Sequence, residues 1–293
     1  VHMTLLSVLC LRHVPALTYL HIEEYLLRAT SKNWLIINDG VASHDSSIGG
    51  GGGASSSSHL PFHQNDLPRP SPTPRYGDSA GIGSTAILGL GGKLHEWVDT
   101  HEAASLNVPV IRRFTGGGAV LVDTDTIFVS TIMNDSDAAV AHVEPYPGPI
   151  MQFISELYTP AWKGLLTLRE NDFILTNTNK KFGGNAQAIT KGRWLQHTSV
   201  LWDTNVDVMT RVLRSPTRRP KYRGTREHSD FVVTLKDVWD GDRASFVDAV
   251  LEAPMRYDVR WSCAPEDARE VLKAYEYARA HTNVRIGSKE VPL

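Results

Sequence analysis

RRFTGGGAVLVD, from Arg112 to Asp123, places three consecutive glycines between two β-rich runs. A tight β-hairpin needs only one or two glycines, so a triplet indicates a different kind of turn. Glycine allows close approach of the backbone to a ligand, and successive N–H groups in such a turn can bind an anion. Because Arg112 and Arg113 add positive charge, the stretch predicts a loop that binds phosphate or carboxylate. A flexible glycine turn with solvated arginines is the alternative.

Two well-known phosphate-binding loops do not fit this stretch. The Walker sequence GxxxxGK[ST] is absent from the chain, and the GxGxxG spacing of a dinucleotide-binding fold is absent around the triplet. No helical pattern follows the glycines. The triplet is therefore neither a Walker loop nor a dinucleotide-binding loop.

A second candidate segment is KKFGGNAQAI, from Lys180 to Ile189. A lysine at the start of a strand, with glycines after it, can place its ammonium group over a ligand that approaches the backbone closely. An ammonium group is a compact charge that can neutralise a carboxylate and a phosphate together. Taken alone, the segment is better explained as a surface hairpin with charged lysines.

Together, the two segments resemble the lipoate-binding signature and the lysine segment of lipoate–protein ligases, within the biotin/lipoate A/B protein ligase (BPL/LPL catalytic domain) superfamily. Lys181 falls at the family's lysine position. Asn171-Asp172 is similar to an Asn-Asp pair that biotin ligases share, and His197 matches a histidine in the following strand. LHIEEYLLR resembles the family's first helix, and WLIIND and TAILGL resemble its first strand pair. The resemblance covers roughly residues 17–280, apart from 41–80.

Apolar periodicity predicts an α+β fold. Strand candidates outnumber helix candidates and occur in groups, which is typical of a mixed or antiparallel sheet flanked by helices. The resemblance implies, more narrowly, the class II aminoacyl-tRNA synthetase-like catalytic domain of biotin and lipoate ligases. We expect the strand 84–90 to pair with 34–39. Helices are predicted at 15–29, 92–105, 150–166, 205–213, 244–252 and 265–280.

Length and composition fit one globular domain over residues 1–293. The chain is 41% hydrophobic and 21% charged, with a formal net charge of −2, so nothing points to nucleic acid or a membrane. Residues 41–80 are rich in Gly, Ser and Pro and are expected to form a disordered low-complexity insertion. The resemblance further implies a short helical C-terminal tail in place of the large C-terminal accessory domain of bacterial-type ligases.

The implied chemistry is ATP-dependent activation of lipoate or octanoate to acyl-AMP, followed by transfer to a protein lysine. ATP and Mg²⁺ would be required, and Lys181 would be the catalytic residue that holds the acyl carboxylate against the α-phosphate. By the resemblance, the substrate- and nucleotide-binding residues are Arg112, Arg113, Thr115, Gly116, Gly117, Gly118, Ala119, Val120, Leu121, Gly183, Gly184, Asn185 and Ala186. Supporting roles are expected for Asp123, Asn171, Asp172 and His197, although a turn role is as good an explanation for Asp123 and Asn171. A structural strand histidine is the favoured interpretation of His197.

Three other functions stay open. An octanoyl or lipoyl transferase would need a cysteine nucleophile, but neither Cys10 nor Cys263 falls where one is expected. A biotin–protein ligase would carry GRGRxxR, which the chain lacks. A non-catalytic protein that binds the adenylate or lipoyl domains is the third. The chain departs from the family pattern at Val122-Asp123 and His197-Thr198, where the family has His-Asp and His-Gly. The expected absence of the accessory domain, which supports adenylation in the family, leaves the adenylation step in question.

The expected partners are lipoyl domains of 2-oxoacid dehydrogenase complexes and the glycine-cleavage H protein. Such domains are usually acidic around the target lysine, so the basic stretch Arg214–Arg226 is a candidate docking surface, with a solvated loop as the alternative. A separate accessory domain could complete the enzyme, which is otherwise expected to be a monomer. Two cysteines fit a reducing compartment, and the location is expected to be mitochondrial or cytoplasmic.

Overall fold

A computed structural model of the protein describes residues 3–42, 83–215, 220–258, 260–281 and 286–293. The predicted low-complexity insertion at 41–80 lies almost entirely outside the described residues. In the described part, the strands are β1 (Thr4–Arg12), β2 (Asn33–Asp39), β3 (Thr85–Leu88), β4 (Val110–Arg112), β5 (Ala119–Val122), β6 (Thr126–Asn134), β7 (Leu166–Arg169), β8 (Asp172–Leu175), β9 (Gly183–Thr190), β10 (Arg193–Leu201), β11 (Trp261–Pro265) and β12 (Lys289–Val291). The helices are α1 (Ala16–Ala29), α2 (Leu94–Trp97), α3 (Thr100–Ser105), α4 (Pro147–Trp162), α5 (Val206–Val212), α6 (His228–Phe231), α7 (Arg243–Tyr257) and α8 (Ala268–His281).

The main sheet has six strands in the order β11-β1-β2-β6-β10-β9. β1 runs parallel to both β11 and β2, whereas β6, β10 and β9 pair in antiparallel fashion. A second sheet has the order β12-β4-β3-β5, and β7 pairs with β8. The predicted α+β class with a mixed sheet flanked by helices is confirmed.

Helices cover both faces of the main sheet. In β2, Leu35 and Ile37 join the core under α4 and α7, while Trp34 and Ile36 join the core under α1. Successive strand residues point to opposite faces, so a strand buried on both sides needs an uninterrupted apolar run. WLII provides that run. The α1 core also takes residues from the second sheet, which brings the loop between β4 and β5 close to the main sheet.

The expected pairing of strand 84–90 with strand 34–39 is wrong. β3 pairs with β4 and β5, with Ile87 opposite Ile111 and Val120. Both edges of β2 are already occupied, by β6 and by β1, a strand that the sequence analysis did not identify. Because a strand has only two edges, β3 is placed in the second sheet.

Two further expectations need correction. The single helix predicted at 92–105 is two helices, because Val98 is fully buried in a bridge to Leu213 and the Asp99 carboxylate caps α3. The C-terminal tail, expected to be helical, also contains two strands. β11 extends the main sheet, and β12 pairs with β4 at the edge of the second sheet.

Candidate functional site

The glycine loop, residues 113–118, passes over the end of β3. It connects β4 to β5, which are separated by β3 in the second sheet. The Gly89 N–H at the end of β3 donates to the Gly118 carbonyl at 3.0 Å. A Cβ on Gly89 would lie 2.0 Å from the Gly117 oxygen, and one on Gly118 would lie 3.0 Å from the Trp97 ring. Gly117 itself has φ of +100°, so close backbone packing already requires glycine here.

Arg113 lies beneath this loop and is 4% exposed. Its Nη2 donates to the carbonyls of Gly116 at 2.9 Å and Gly118 at 3.0 Å, and its Nη1 reaches the Ile87 carbonyl at 3.4 Å. Burial lowers the pKa of Arg113 to about 10, so it stays charged at neutral pH. The guanidinium therefore fixes the loop from inside while it also borders the cavity described below.

Arg112 also binds main-chain carbonyls, in this case those of the segment that follows β3. Its Nη1 donates to three carbonyls of the segment after β3, those of Gly89, Leu90 and Gly92, at 3.1, 3.2 and 2.6 Å. It is not among the residues that line the cavity. Both arginines are thus bound to main-chain oxygens.

Lys181 precedes β9 and is held between two segments by its main chain. Its N–H donates to the Phe231 carbonyl at 2.8 Å, and it bridges to Ile174 in β8. The ammonium group donates to Asp172 Oδ1 at 2.5 Å, with 22% and 11% of the two side chains exposed. The Tyr222 hydroxyl donates to the other oxygen of Asp172 at 2.8 Å, and burial together with that carboxylate raises the Tyr222 pKa.

Glu170 and Asn171, which precede Asp172, form the turn between β7 and β8. Glu170 and Asn171 both have positive φ, 49° and 67°, as expected for the two central residues of a type I′ turn. The Glu170 carboxylate accepts the N–H groups of Lys221 and Tyr222. The Asn171 carbonyl accepts from Asn185 Nδ2 at 3.1 Å. This turn therefore anchors both β9 and residues 221–222.

His197 pairs with a buried glutamate that the sequence analysis missed. Its Nδ1 lies 3.1 Å from Oε2 of Glu23 on α1, and Glu23 also accepts from the Ser130 hydroxyl. Tyr19 OH lies 2.7 Å from Ser130 Oγ. Glu23 is completely buried, and a buried carboxylate needs such partners. One signal was available: Glu23 lies three residues after Leu20, on the apolar face of α1.

These elements enclose a cavity of about 230 Å³. It is lined by Trp97, Arg113, Gly118, Ala119, Val120, Lys181, Gly184, Asn185, Ala186, His197, Ser199, Leu213, Arg214, Pro220, Arg223 and Phe231. A smaller, mostly apolar cavity of about 100 Å³ shares Lys181 and Gly184 and adds Gly183, Leu201, Met209 and Val232. The lining combines cationic side chains, glycine backbone and apolar walls, which suits a ligand that is anionic at one end and apolar at the other.

The structure brings many, though not all, of the expected site residues to this cavity. Thr115 and Leu121 are fully buried, and Gly116 and Gly117 do not line it. Asp123 is fully buried in the turn after β5 and accepts from the N–H groups of Asp125 and Asn205 at 3.1 and 3.2 Å. Burial raises the pKa of Asp123 to about 6. The cavity-lining residues not anticipated were Trp97, Ser199, Leu213, Arg214, Pro220, Arg223 and Phe231.

In the described part of the basic stretch 214–226, Arg214 and Lys221 are exposed, whereas Arg223 is buried. Residues 216–219, which include Arg218 and Arg219, lie outside the described residues. Arg214 pairs with Asp99, and the guanidinium groups of Arg223 and Arg226 stack on the Phe231 ring at 4.7 and 5.2 Å. These arginines therefore form part of the cavity wall and its support.

Residues 83–254 match the family model of the lipoyl protein ligase A/B catalytic domain. The match covers more than half of the chain. It includes the glycine loop, Lys181 and His197.

Curated relatives of different activities are similar to the chain. An inactive lipoate–protein ligase 2 of Plasmodium falciparum is 25% identical over 182 residues, which cover 51% of this chain and 47% of that protein. A lipoate–protein ligase of Bacillus subtilis is 25% identical, with 53% and 45% covered. An octanoyltransferase of Brevibacillus brevis is 26% identical, with 53% and 64% covered. The match thus spans about half the length of the ligases.

Solved structures agree over a larger part of the chain. A bi-partite lipoate protein ligase of Thermoplasma acidophilum, studied with its E2 lipoyl domain, has a TM-score of 0.65 at 17% identity, with 96% of this chain and 93% of that chain covered. A lipoate–protein ligase A bound with ATP has a TM-score of 0.62 at 17% identity, with 96% and 95% covered. At such identities, the likeness establishes the shared fold.

Proposed function

The chain belongs to the family of the lipoyl protein ligase A/B catalytic domain, and on that premise we propose that it is a lipoate–protein ligase. It would activate lipoate or octanoate with ATP to acyl-AMP and then transfer the acyl group to a lysine of a lipoyl domain. ATP binding by a structural neighbour supports the first half of this proposal. The study of another neighbour with its E2 lipoyl domain supports the second.

The observation that carries the proposal is the position of Lys181. Its ammonium group is paired with Asp172 and lines the cavity that the glycine loop and Arg113 also line. Attack of a carboxylate on the α-phosphorus of ATP brings two anions together, so the reaction needs cations placed in advance. A substrate carboxylate would take the place of Asp172 on this ammonium group, since the contact between the two residues is made by side chains alone.

In the first step, a carboxylate oxygen would bond to the α-phosphorus while the bond to pyrophosphate breaks. In the second, the acceptor amine would attack the acyl carbon, lose a proton, and displace AMP. Lys181 would stabilise the charge on the reacting oxygens in both steps. Among the described residues, no group of three or more His, Cys, Asp or Glu could hold a metal. Mg²⁺ bound together with ATP would supply positive charge at the phosphate oxygens.

The chain's own chemistry gives less support to a transferase with a cysteine nucleophile. Cys10 and Cys263 lie on β1 and β11, and neither lines the cavity. Burial raises the pKa of each thiol to about 11, which opposes thiolate formation. The similarity to an octanoyltransferase keeps transfer from a preformed acyl donor as the second candidate.

The proposed function also implies an acceptor protein and a cellular location. Lipoyl domains are the proposed acceptors, with a mitochondrial or cytoplasmic location. In the described part of the chain, no helix is both long and apolar enough to cross a membrane.

Lipoate-dependent release of pyrophosphate from ATP and Mg²⁺ tests the proposal, with Lys181→Ala beside the wild type. Lys180→Ala is the matched control, because the neighbouring lysine does not line the cavity. We expect release to fall roughly 10²- to 10³-fold in Lys181→Ala and to persist in Lys180→Ala. No release, but transfer from supplied lipoyl-AMP to a lipoyl domain, would establish the transferase instead. Neither activity would leave a binding protein.

A further inference from the structure

Residues 286–291, for which no sequence motif predicts a role, lie against the start of the glycine loop. The Ser288 hydroxyl oxygen accepts the Phe114 N–H at 3.0 Å in a buried hydrogen bond. β12 follows at once and pairs with β4, with Lys289 opposite Arg112. Phe114 is the residue next to Arg113, whose guanidinium holds the loop from inside. The segment thus contacts the loop where its supporting arginine begins.

Helix α1 fixes the same segment from the other side. His21 Nε2 lies 2.9 Å from the Ser288 carbonyl oxygen, and His21 Nδ1 lies 3.0 Å from the hydroxyl of Tyr275 on α8. The Gly287 N–H donates to Glu24 Oε2 at 2.7 Å. Burial lowers the pKa of His21, so its ring is neutral at pH 7. A neutral ring that donates from Nε2 and accepts at Nδ1 satisfies both partners.

The packing leaves little freedom between these groups. Ser288 is 5% exposed. A Cβ on Gly287 would lie 3.4 Å from the Glu24 carboxylate and 3.5 Å from Cβ of Phe114. The contacts therefore connect α1 to Phe114 through Gly287 and Ser288.

We propose that residues 286–291 are a functional part of the nucleotide site, in which Ser288 positions Arg113 and the glycine loop through the Phe114 N–H. The part of this proposal that concerns the nucleotide rests on the proposed function. The part that concerns the position of the loop can be tested without a nucleotide. Without the hydroxyl, the Phe114 N–H is left buried without an acceptor, which favours a shift of the chain at that point. Arg113 is the residue before Phe114, so a shift of the main chain at Phe114 also moves Arg113. The loop carbonyls that its guanidinium binds are then expected to shift as well.

Ser7 provides a matched control. It is also a buried serine, 3% exposed, and its hydroxyl donates to Glu266 at 2.7 Å. It lies on β1 and does not line the cavity. Ser7→Ala and Ser288→Ala each remove the hydroxyl hydrogen bond of a buried serine, so a loss of global stability alone would affect the two variants alike. Ser288→Thr restores the hydroxyl and is the rescue variant.

The first measurement is amide hydrogen exchange of residues 113–118 in the unliganded full chain. We expect exchange to be roughly tenfold faster in Ser288→Ala, close to wild type in Ser7→Ala, and restored in Ser288→Thr. Equal exchange of this loop in the two alanine variants would overturn the proposal, whatever happens to nucleotide affinity.

The second measurement is ATP affinity by calorimetry on the same proteins. A roughly tenfold weaker affinity in Ser288→Ala, with rescue in Ser288→Thr and a similar thermal stability to Ser7→Ala, would support positioning. Affinity equal to that of Ser7→Ala would show that the segment has no part in nucleotide binding and would overturn that half of the proposal. If the wild type binds no ATP while loop exchange responds as expected, the proposed function fails and the positioning of the loop by Ser288 stands.

Discussion

The glycine loop and the lysine segment border the same cavity but use their charges differently. The guanidinium groups of Arg112 and Arg113 are bound to main-chain carbonyls. The ammonium group of Lys181 is bound to a side-chain carboxylate at 2.5 Å, and both side chains stay partly exposed. The arginine contacts are made to main-chain atoms of the loop and its neighbouring segment, whereas the lysine contact is made to another side chain. We therefore expect the arginines to contribute more to stability than Lys181 does, and the proposed function assigns the lysine to catalysis.

Replacement of Arg113 by Ala should have the largest effect on stability. The change leaves the Gly116 carbonyl without this donor and removes one of the two donors to the Gly118 carbonyl. Hydrogen bonds to charged groups are among the stronger ones, and the buried guanidinium leaves a space behind it. We expect the free energy of unfolding to fall by about 4 kcal/mol, with loss of activity. Urea denaturation measures this. Arg112→Ala, which affects a partly exposed segment, should cost about 1–2 kcal/mol. Equally small losses of stability in the two variants would contradict the structural role assigned to Arg113.

Replacement of Lys181 by Ala should separate activity from stability. The large loss of activity expected above is equivalent to about 3 kcal/mol in the barrier. The free energy of unfolding should change by less than about 1 kcal/mol, because a partly exposed ion pair contributes little. Thermal unfolding of Lys181→Ala beside Lys180→Ala checks this. A drop in stability as large as that of Arg113→Ala would mean that Lys181 is also a structural residue.

Two glycines of the triplet offer a finer test within the loop. A Cβ at Gly117 would lie 2.8 Å from Arg113 Nη2 in a backbone with φ of +100°, whereas a Cβ at Gly116 meets nothing within 4 Å. Gly117→Ala should therefore cost about 2 kcal/mol of unfolding free energy. Gly116→Ala should cost less than about 0.5 kcal/mol. If Gly116→Ala nonetheless abolishes ATP binding, the ligand itself requires that glycine.

The sequence indicated which segments border this cavity better than it predicted which strands pair. Glycine, arginine and lysine patterns locate the loop and Lys181 because the constraint is local. β1 was missed because TLLSVLCLR carries no turn signal that separates a buried strand from any apolar run. The contacts of Glu23 with His197, and of Ser288 with Phe114, each join residues 174 positions apart. Nothing local marks such pairs, since only the packing of α1 and β12 brings them together.

A modest, pH-dependent effect is expected from Asp123, which lies in the turn after β5 and, like the two arginines, is bound to main-chain groups. Burial raises its pKa from 3.8 to about 6, so between these values the folded protein holds a proton that the unfolded chain has lost. Stability from this group is therefore present at low pH and is lost as the pH rises through about 6. Between pH 7.5 and pH 5.5 the gain should be about 1 kcal/mol. Other carboxyls also titrate, so the quantity to measure is the difference in unfolding free energy between wild type and Asp123→Asn at the two pH values. A difference that does not change with pH would mean that Asp123 is ionised throughout, held by the N–H groups of Asp125 and Asn205. It would then be an anionic anchor for α5, and its charge would contribute to the field around the cavity.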